Sequence, residues 1–256
     1  SSKTWKVGAA IIANSRVARA GAGIIIMPEA TKAHAIGKTG AIALEHIPGF
    51  VRHVEAATWS TIDLDLEFSA AIPESESPVT SVKIDWKTCV AKAIRFKIKR
   101  KDRKSYQDDN ALIDAIVAGL TLGLSRAADE VLLSALTAAL RPGGLSFPSV
   151  AAEGLAFNEL RALVGTFGGA ARDSPSVWGD GTLRLAGIPA ELTPDMPGTI
   201  VGAWNRAAVA IRDDVTIHVE RVGLAGEMEL TAWASMQPLI PAASKFWLMD
   251  DYRISS

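Results

Sequence analysis

The sequence predicts an α+β fold, and three of its features lead to that prediction. Apolar and polar residues alternate over residues 82–87 and again over 90–99, which is typical of half-buried strands. Apolar residues then recur at three- and four-residue steps over 109–140, which predicts one long helix. After that helix, short strands are predicted at 199–203, 207–212, 215–221 and 229–236. The chain therefore mixes helix and sheet, and it shows no internal repeat.

The composition is that of an ordinary globular protein, since 48% of the 256 residues are hydrophobic and 21% are charged. A net charge of −1 gives the whole chain no preference for nucleic acid. The single cysteine, Cys89, excludes an internal disulfide and a cysteine-based zinc site. No secretory signal pattern opens the chain, and no uninterrupted run of about 18 apolar residues predicts a membrane span.

The first half of the chain is expected to contain an arm and a hairpin. Residues 1–50 have few apolar anchors, so we expect an irregular arm that packs against something else. Residues 61–68 alternate strictly and predict a strand whose outer face carries Asp63, Asp65 and Glu67. Two prolines bound a turn or loop tip at 72–78, and the alternation over 82–86 then completes a long hairpin.

A basic stretch over 92–104 carries eight positive residues against one acidic residue, Asp102. Its strand has apolar residues on one face and Arg95, Lys97 and Lys99 on the other, and Arg100 follows. Three interpretations stay open. The basic face is solvated, or it meets the phosphates of a nucleic acid, or it pairs with the acidic face of Asp63, Asp65 and Glu67 in a neighbouring subunit.

The long helix is predicted to run over 109–140 and to end at Arg141-Pro142-Gly143-Gly144. At a rise of 1.5 Å per residue, it is a rod of roughly 45–50 Å. Gly119 and Gly123 inside it cost about 1 kcal/mol each relative to Ala, which is tolerable if another element lies close to that face. A short helix is predicted at 155–166, and the proline-rich run 187–198 is predicted not to form a central strand.

No set of residues predicts catalysis, a cofactor or a metal. Two triplets, His53-Val54-Glu55 and His218-Val219-Glu220, would place His and Glu on one side of a strand, and we interpret both as solvated strand faces. Cys89 is interpreted as a small buried apolar residue. The pairs Asp108-Asp109 and Asp213-Asp214 are interpreted as a helix cap and a turn.

Three sets of residues, in this order, resemble the major capsid protein of tailed bacteriophages, the Hong Kong 97 type. The first is the strand from 82 to 96 that leads into the long helix, similar to the extended loop and spine helix of that family. The second comprises 187–190, 193–197, 201–204, 210–212 and 215–217, similar to the exit from the axial domain. The third is 230–236, similar to the last strand of the peripheral domain.

The resemblance implies a Hong Kong 97-type fold with an N-terminal arm, an extended β-hairpin loop, a long spine helix and peripheral and axial domains. The implied boundaries are an arm at 1–50, a loop at 52–88, a peripheral domain at 89–146, an axial domain at 147–214 and a return to the peripheral domain at 215–256. The Lys–Asn cross-link of some relatives is not expected, because residues 52–80 contain no Lys and residues 215–256 contain no Asn.

The same resemblance implies a structural protein and not an enzyme. Its partners would be copies of itself in pentamers and hexamers, packaged double-stranded DNA through non-specific contacts, and scaffolding, portal or decoration proteins, with no membrane. It would be assembled in the host cytoplasm and reside in the virion. Two alternatives stay open: the shell protein of an encapsulin-like nanocompartment, and a DNA-binding module that uses residues 92–104.

Overall fold

The computed structural model describes residues 2–4, 7–27, 34–36, 44–47, 50–55, 57, 59–62, 72–106, 109–140, 145–166, 184–185, 187–196, 198–222 and 226–249. Its helices and strands, in chain order, are β1 (Ser2–Thr4), α1 (Gly8–Asn14), α2 (Arg16–Ala20), β2 (Gly23–Met27), β3 (His34–Ile36), β4 (Leu44–Ile47), β5 (Phe50–Val54), β6 (Val79–Lys83), β7 (Val90–Ile98), α3 (Arg100–Ser105), α4 (Asp109–Ala139), α5 (Phe147–Ala152), β8 (Arg161–Gly165), β9 (Arg184–Leu185), β10 (Ile188–Thr193), β11 (Thr199–Gly202), β12 (Ala208–Val222), β13 (Glu227–Leu239) and β14 (Phe246–Met249). Short 3₁₀ turns lie at Phe157–Glu159, Trp204–Arg206 and Ala243–Lys245.

These strands form three sheets. The first has the order β1-β12-β13-β7. β2 also belongs to it and pairs in parallel with residues 208–212 of β12, while β1 pairs with residues 216–218 of the same strand. The second has the order β14-β11-β8-β10-β9. The third has the order β3-β4-β5-β6 and is antiparallel throughout. The predicted mixture of helix and sheet is confirmed, with α4 packed against β12 and β13 of the first sheet and α2 against β8 and β10 of the second.

The long helix is confirmed almost to the residue. α4 has 31 residues, a length of about 46 Å at 1.5 Å per residue. One face packs against α1, α2, β12 and β13, and it buries Leu120, Ala128 and the run 131–133 together with Leu136. By length and composition alone, the part from Ala111 to Ala139 could also cross a membrane. Here that helix forms one wall of the largest hydrophobic core.

The N-terminal segment differs from the irregular arm that we expected. Residues 7–27 form α1, α2 and β2, and Ile11 and Val17 are fully buried against α4. The buried Asp129 of α4 accepts hydrogen bonds from the Ser15 hydroxyl at 2.6 Å and from two backbone amides at the start of α2. Two fully buried side chains and the buried carboxylate of Asp129 therefore anchor a segment that has few large apolar residues in its first turns.

Two local predictions in the second half are wrong. Residues 155–166 form a 3₁₀ turn and then β8, whose buried residues pair with both β10 and β11. The run 187–198 contains β10, which lies between β8 and β9 in the second sheet. Pro189 is tolerated because it lies near the start of β10, where only the two-residue strand β9 pairs with it.

The closing strands of the chain are longer than predicted. The expected strands at 207–212 and 215–221 are one strand, β12, and a β-bulge between Arg212 and Thr216 replaces the turn expected at Asp213-Asp214. The predicted strands at 199–203, 229–236 and 90–99 are confirmed as β11, β13 and β7. The hairpin differs, because β6 pairs with β5 at 50–54. Most of the predicted strand 61–68 lies outside the described residues.

Candidate assembly surface

β7 is the edge strand of the first sheet and holds the predicted basic face. None of its nine residues is buried, and it pairs with β13 alone among the described strands. Ile94, Phe96 and Ile98 lie on the face towards α4, and Arg95 and Lys97 lie on the opposite face with Glu229 of β13. The predicted alternation of this strand is therefore confirmed.

The subunit's own chain already compensates part of this basic charge. Arg95 Nε donates to Glu229 Oε1 at 2.6 Å, and Lys97 Nζ lies 3.7 Å from Glu229 Oε2. The hydrogen bond from Arg95 lowers the pKa of the Glu229 carboxyl, and the same bond raises the pKa of Arg95. Both cations remain more than half exposed, so the contact is a shared surface ion pair and contributes little to stability.

Positive charge without such compensation lies at the end of β7. Lys99 and Arg100 are exposed, and neither forms an ion pair with another residue in the described part of the chain. At the other end of the strand, Lys92 Nζ contacts Glu130 of α4 at 3.0 Å. The four predicted contact residues thus fall into two groups: Arg95 and Lys97 paired with Glu229, and Lys99 and Arg100 facing solvent.

The acidic half of the predicted contact, Asp63, Asp65 and Glu67, lies outside the described residues. The tip that follows is described, and every residue from 72 to 81 is exposed. The Glu55 N–H donates to the carbonyl of Pro78 at 2.9 Å, so the pairing of β5 with β6 continues one residue beyond the two strands. The proline-bounded tip therefore lies on the surface, as predicted.

The first His-x-Glu triplet belongs to a buried ionic cluster, and the predicted solvated face is wrong for it. His53 Nε2 donates to Glu55 Oε1 at 2.8 Å, and the His53 side chain is 8% exposed. Arg206 binds the same carboxylate with two nitrogens, Nε to Oε1 at 2.7 Å and Nη2 to Oε2 at 3.0 Å. Arg206 also lies 3.4 Å from Glu159 and 3.2 Å from the Asn205 Oδ1.

These contacts shift the pKa values of both partners. Burial alone would raise the pKa of the Glu55 carboxyl, but the hydrogen bonds from His53 and Arg206 and the charges of Arg206 and Lys245 lower it to about 2. Burial acts to lower the pKa of Arg206, and the two carboxylates of Glu55 and Glu159 outweigh it and raise that pKa. The pair is therefore charged throughout the physiological pH range. It links β5 to the 3₁₀ turn before β12.

Sequence reasoning missed Arg206 and Glu159 as members of this cluster. A signal for Arg206 exists, because it is the one charged residue in the otherwise small and apolar run from 201 to 211, all of which is buried. A charge inside such a run needs a partner. The partner, Glu55, is 151 positions away in the chain, and nothing in the local pattern indicates it.

The remaining candidate groups show structural contacts. His218 packs edge-on against Trp233, with ring centroids 5.0 Å apart. Cys89 is half-buried, and its thiol donates to the carbonyl of Trp86 at 3.1 Å. Within the described ranges, no three His, Cys, Asp or Glu side chains come together in a way that could hold a metal ion.

Comparisons with known proteins show the class of fold. No family model matches the chain, and no curated protein sequence matches it. Solved structures do match, and the chain shares its fold with phage capsid and procapsid structures.

Three of these structures illustrate the likeness. The satellite phage P4 procapsid matches with a TM-score of 0.57 and 13% identity over 96% of this chain and 89% of that chain. The mature capsid of bacteriophage PhiM1 matches with a TM-score of 0.52 and 8% identity over 94% and 88%. A virus-like particle from Pyrococcus furiosus matches with a TM-score of 0.51 and 9% identity over 95% and 96%. The chain thus has the capsid fold that the resemblance implied.

Proposed function

We propose that this chain is the major capsid protein of a tailed bacteriophage, which assembles into the pentamers and hexamers of an icosahedral shell around double-stranded DNA. The observation that carries the proposal is the likeness to the P4 procapsid over nearly the whole length of both chains. A structural subunit, active through self-association in the virion, is consistent with the exposed segment 72–81 and with the exposed edge strand β7.

The test is assembly of the purified full-length chain. We expect closed particles by electron microscopy and a large hydrodynamic radius by light scattering. A chain that stays monomeric across a range of ionic strength, pH and crowding agent would contradict the proposal.

The enclosed content discriminates the proposal from an encapsulin-like nanocompartment. Two of the three structures above are named as phage particles, which favours a phage capsid. Particles isolated from the natural source should therefore contain DNA that nuclease cannot reach until the shell is opened. Particles that contain enclosed enzymes and no DNA would favour the nanocompartment.

Contact with DNA is proposed for Lys97, Lys99 and Arg100 at the end of β7. All three are exposed, and phosphate contacts give binding a steep salt dependence. The variant K97E/K99E/R100E should lose most DNA binding at low salt. The matched control R19E/K83E/K87E makes the same change of charge at other exposed positions. Equal loss in both variants would show that only the overall charge matters.

The alternative partner of the same surface is the acidic face of a neighbouring subunit. Lys99 and Arg100 are the best candidates for this contact, because Glu229 already pairs with Arg95 and Lys97. Replacing Asp63, Asp65 and Glu67 with Lys should reduce shell assembly, while the melting temperature of the unassembled subunit stays near that of the parent. Normal shells from this triple variant would exclude the contact.

A further inference from the structure

The strands β5 and β6, called the ribbon below, lie at one side of the third sheet, and residues 56–78 lie between them in the chain. Two contacts among the described residues attach the ribbon to the rest of the subunit. The first lies just after β6, where Ile84 is buried against Ile25, Ala208, Ala210 and Leu239. The Asp85 N–H there also donates to Gln237 Oε1 at 2.8 Å. This attachment is mainly apolar, and apolar contacts are non-directional.

The second attachment lies at the opposite end of the ribbon. Glu55 directly follows β5, and its carboxylate receives both nitrogens of the Arg206 fork. Arg206 belongs to the turn Trp204–Arg206, which Trp204 fixes by its burial and by the bond from its Nε1 to the Arg161 carbonyl at 2.9 Å. A planar guanidinium that binds a carboxylate with two bonds constrains orientation as well as distance.

The separation of the two attachments gives the second one its effect. β6 has five residues and is about 17 Å long at 3.3 Å per residue. An attachment at Ile84 alone would let the third sheet turn about that end, and the far end of the ribbon at Glu55 and Pro78 would move the most. A second fixed point at the far end removes this rotation.

We infer that the Arg206–Glu55 ion pair is a clamp that fixes the orientation of the ribbon, between whose strands residues 56–78 lie in the chain. This inference rests on the proposed function, in which a surface segment of one subunit contacts its neighbours. Glu55 and Arg206 are positioning residues in this scheme and need not contact a neighbour. His53 supports the clamp by donating to Glu55 from the same strand.

The clamp can be tested by distance measurement within one chain. Spin labels are placed at Val79→Cys, on an exposed position at the ribbon's far end, and at Ser134→Cys, on an exposed position of α4, in a Cys89→Ala background. Labelled protein is diluted with unlabelled protein, so that double electron–electron resonance reports distances between the two labels of a single chain. The parent should give one narrow distribution.

The variant Arg206→Lys keeps the positive charge and removes the two-nitrogen fork. It should broaden the distribution roughly twofold, because a Lys is a point charge without a fixed plane. The matched control is Arg126→Lys, which makes the same change in another Arg–carboxylate pair, that of Arg126 with Asp195 at 3.3 Å. An unchanged distribution in Arg206→Lys would overturn the clamp.

A second variant and a second measurement complete the test. Glu55→Gln keeps the shape of the side chain and removes its charge, and it should also broaden the distance distribution. This variant decides the test if Arg206→Lys does not fold. Both clamp variants should also yield fewer closed shells than the parent, while Arg126→Lys should not. If the parent itself forms no shells, the proposed function fails, and the distance distributions still decide the clamp.

Discussion

β12 and β7, two strands of the same sheet, differ in position, burial and charge. β12 is central, and its residues Ala208, Val209, Ala210 and Ile211 are all buried, with elements on both faces. β7 is an edge strand with no buried residue and an outward row of cations. The comparison teaches that this chain stabilises its centre by internal packing and leaves one edge of the same sheet for contacts with other molecules.

The largest expected effect lies at the centre. Trp204 is 1% exposed, packs edge-on against Phe246 at 5.4 Å and donates to the Arg161 carbonyl. Trp204→Ala should lower the free energy of unfolding by about 3–5 kcal/mol, because it leaves a cavity and an unpaired carbonyl. Chemical denaturation of the unassembled subunit measures this. Trp59→Ala, at a position that is 92% exposed, is the matched control and should cost about 0.5 kcal/mol or less.

The next effect concerns the anchor of the N-terminal segment. Asp129→Ala removes the acceptor for the Ser15 hydroxyl and for the amides of Arg16 and Val17. Three donors lose their partner, so we expect a loss of about 2–4 kcal/mol in the free energy of unfolding. Hydrogen exchange should show α2 losing protection first. Asp114→Ala, at an exposed position of the same helix, serves as the control, and equal losses in the two variants would refute the anchor.

A smaller effect is expected from acid. The pKa of Glu55 is lowered to about 2, so its ion pair contributes stability above the ordinary pKa of 4.5 and loses it as the pH falls towards 2. We expect on the order of 1–2 kcal/mol, since water reaches part of the carboxylate. Denaturation curves at pH 5 and pH 2.5, compared with those of Glu55→Gln, measure it. A parent and a variant with the same slope against pH would contradict the assignment.

The smallest effect has the opposite sign. The predicted close neighbour of Gly119 and Gly123 is absent within the described residues, because a Cβ at either position would meet no atom within 4 Å. Gly123→Ala should therefore raise the free energy of unfolding of the unassembled subunit by about 0.5–1 kcal/mol. Thermal melts check this. A destabilised variant would mean that the helix needs this glycine for a reason other than space.

Regular local patterns predicted the elements that a single period defines. The apolar spacing of α4 and the alternation of β7 and β13 are strong because each repeats over many residues. The run 155–166 misled because a short apolar segment fits a buried strand as well as a helix, and pairing with β10 and β11 decides for the strand. Pro189 in β10 misled because its tolerance depends on where the pairing of β10 with β8 begins, which is one residue later, at Ala190.

The candidate assembly surface also contains residues that the sequence predicted and partners that it did not predict. The cations of β7 could be named from the sequence, because alternation places Arg95 and Lys97 on one face. Their partner Glu229 could not, since it lies on another strand more than 130 positions away. The contact of His53 with Glu55 follows from their spacing on a strand. That this pair joins an ionic cluster depends on Arg206, which lies 151 positions from Glu55 in the chain and reaches it only in the folded protein.

By itself, the sequence determined the class of fold, the long rod of α4 and the exposed basic edge, since backbone geometry converts a local period directly into a face. The tertiary structure alone decided the course of residues 7–27, the central place of β10 and the Arg206–Glu55 pair. Each of these depends on contacts between distant parts of the chain. The pattern of either segment alone does not indicate such a contact, because the two segments meet only in the folded protein.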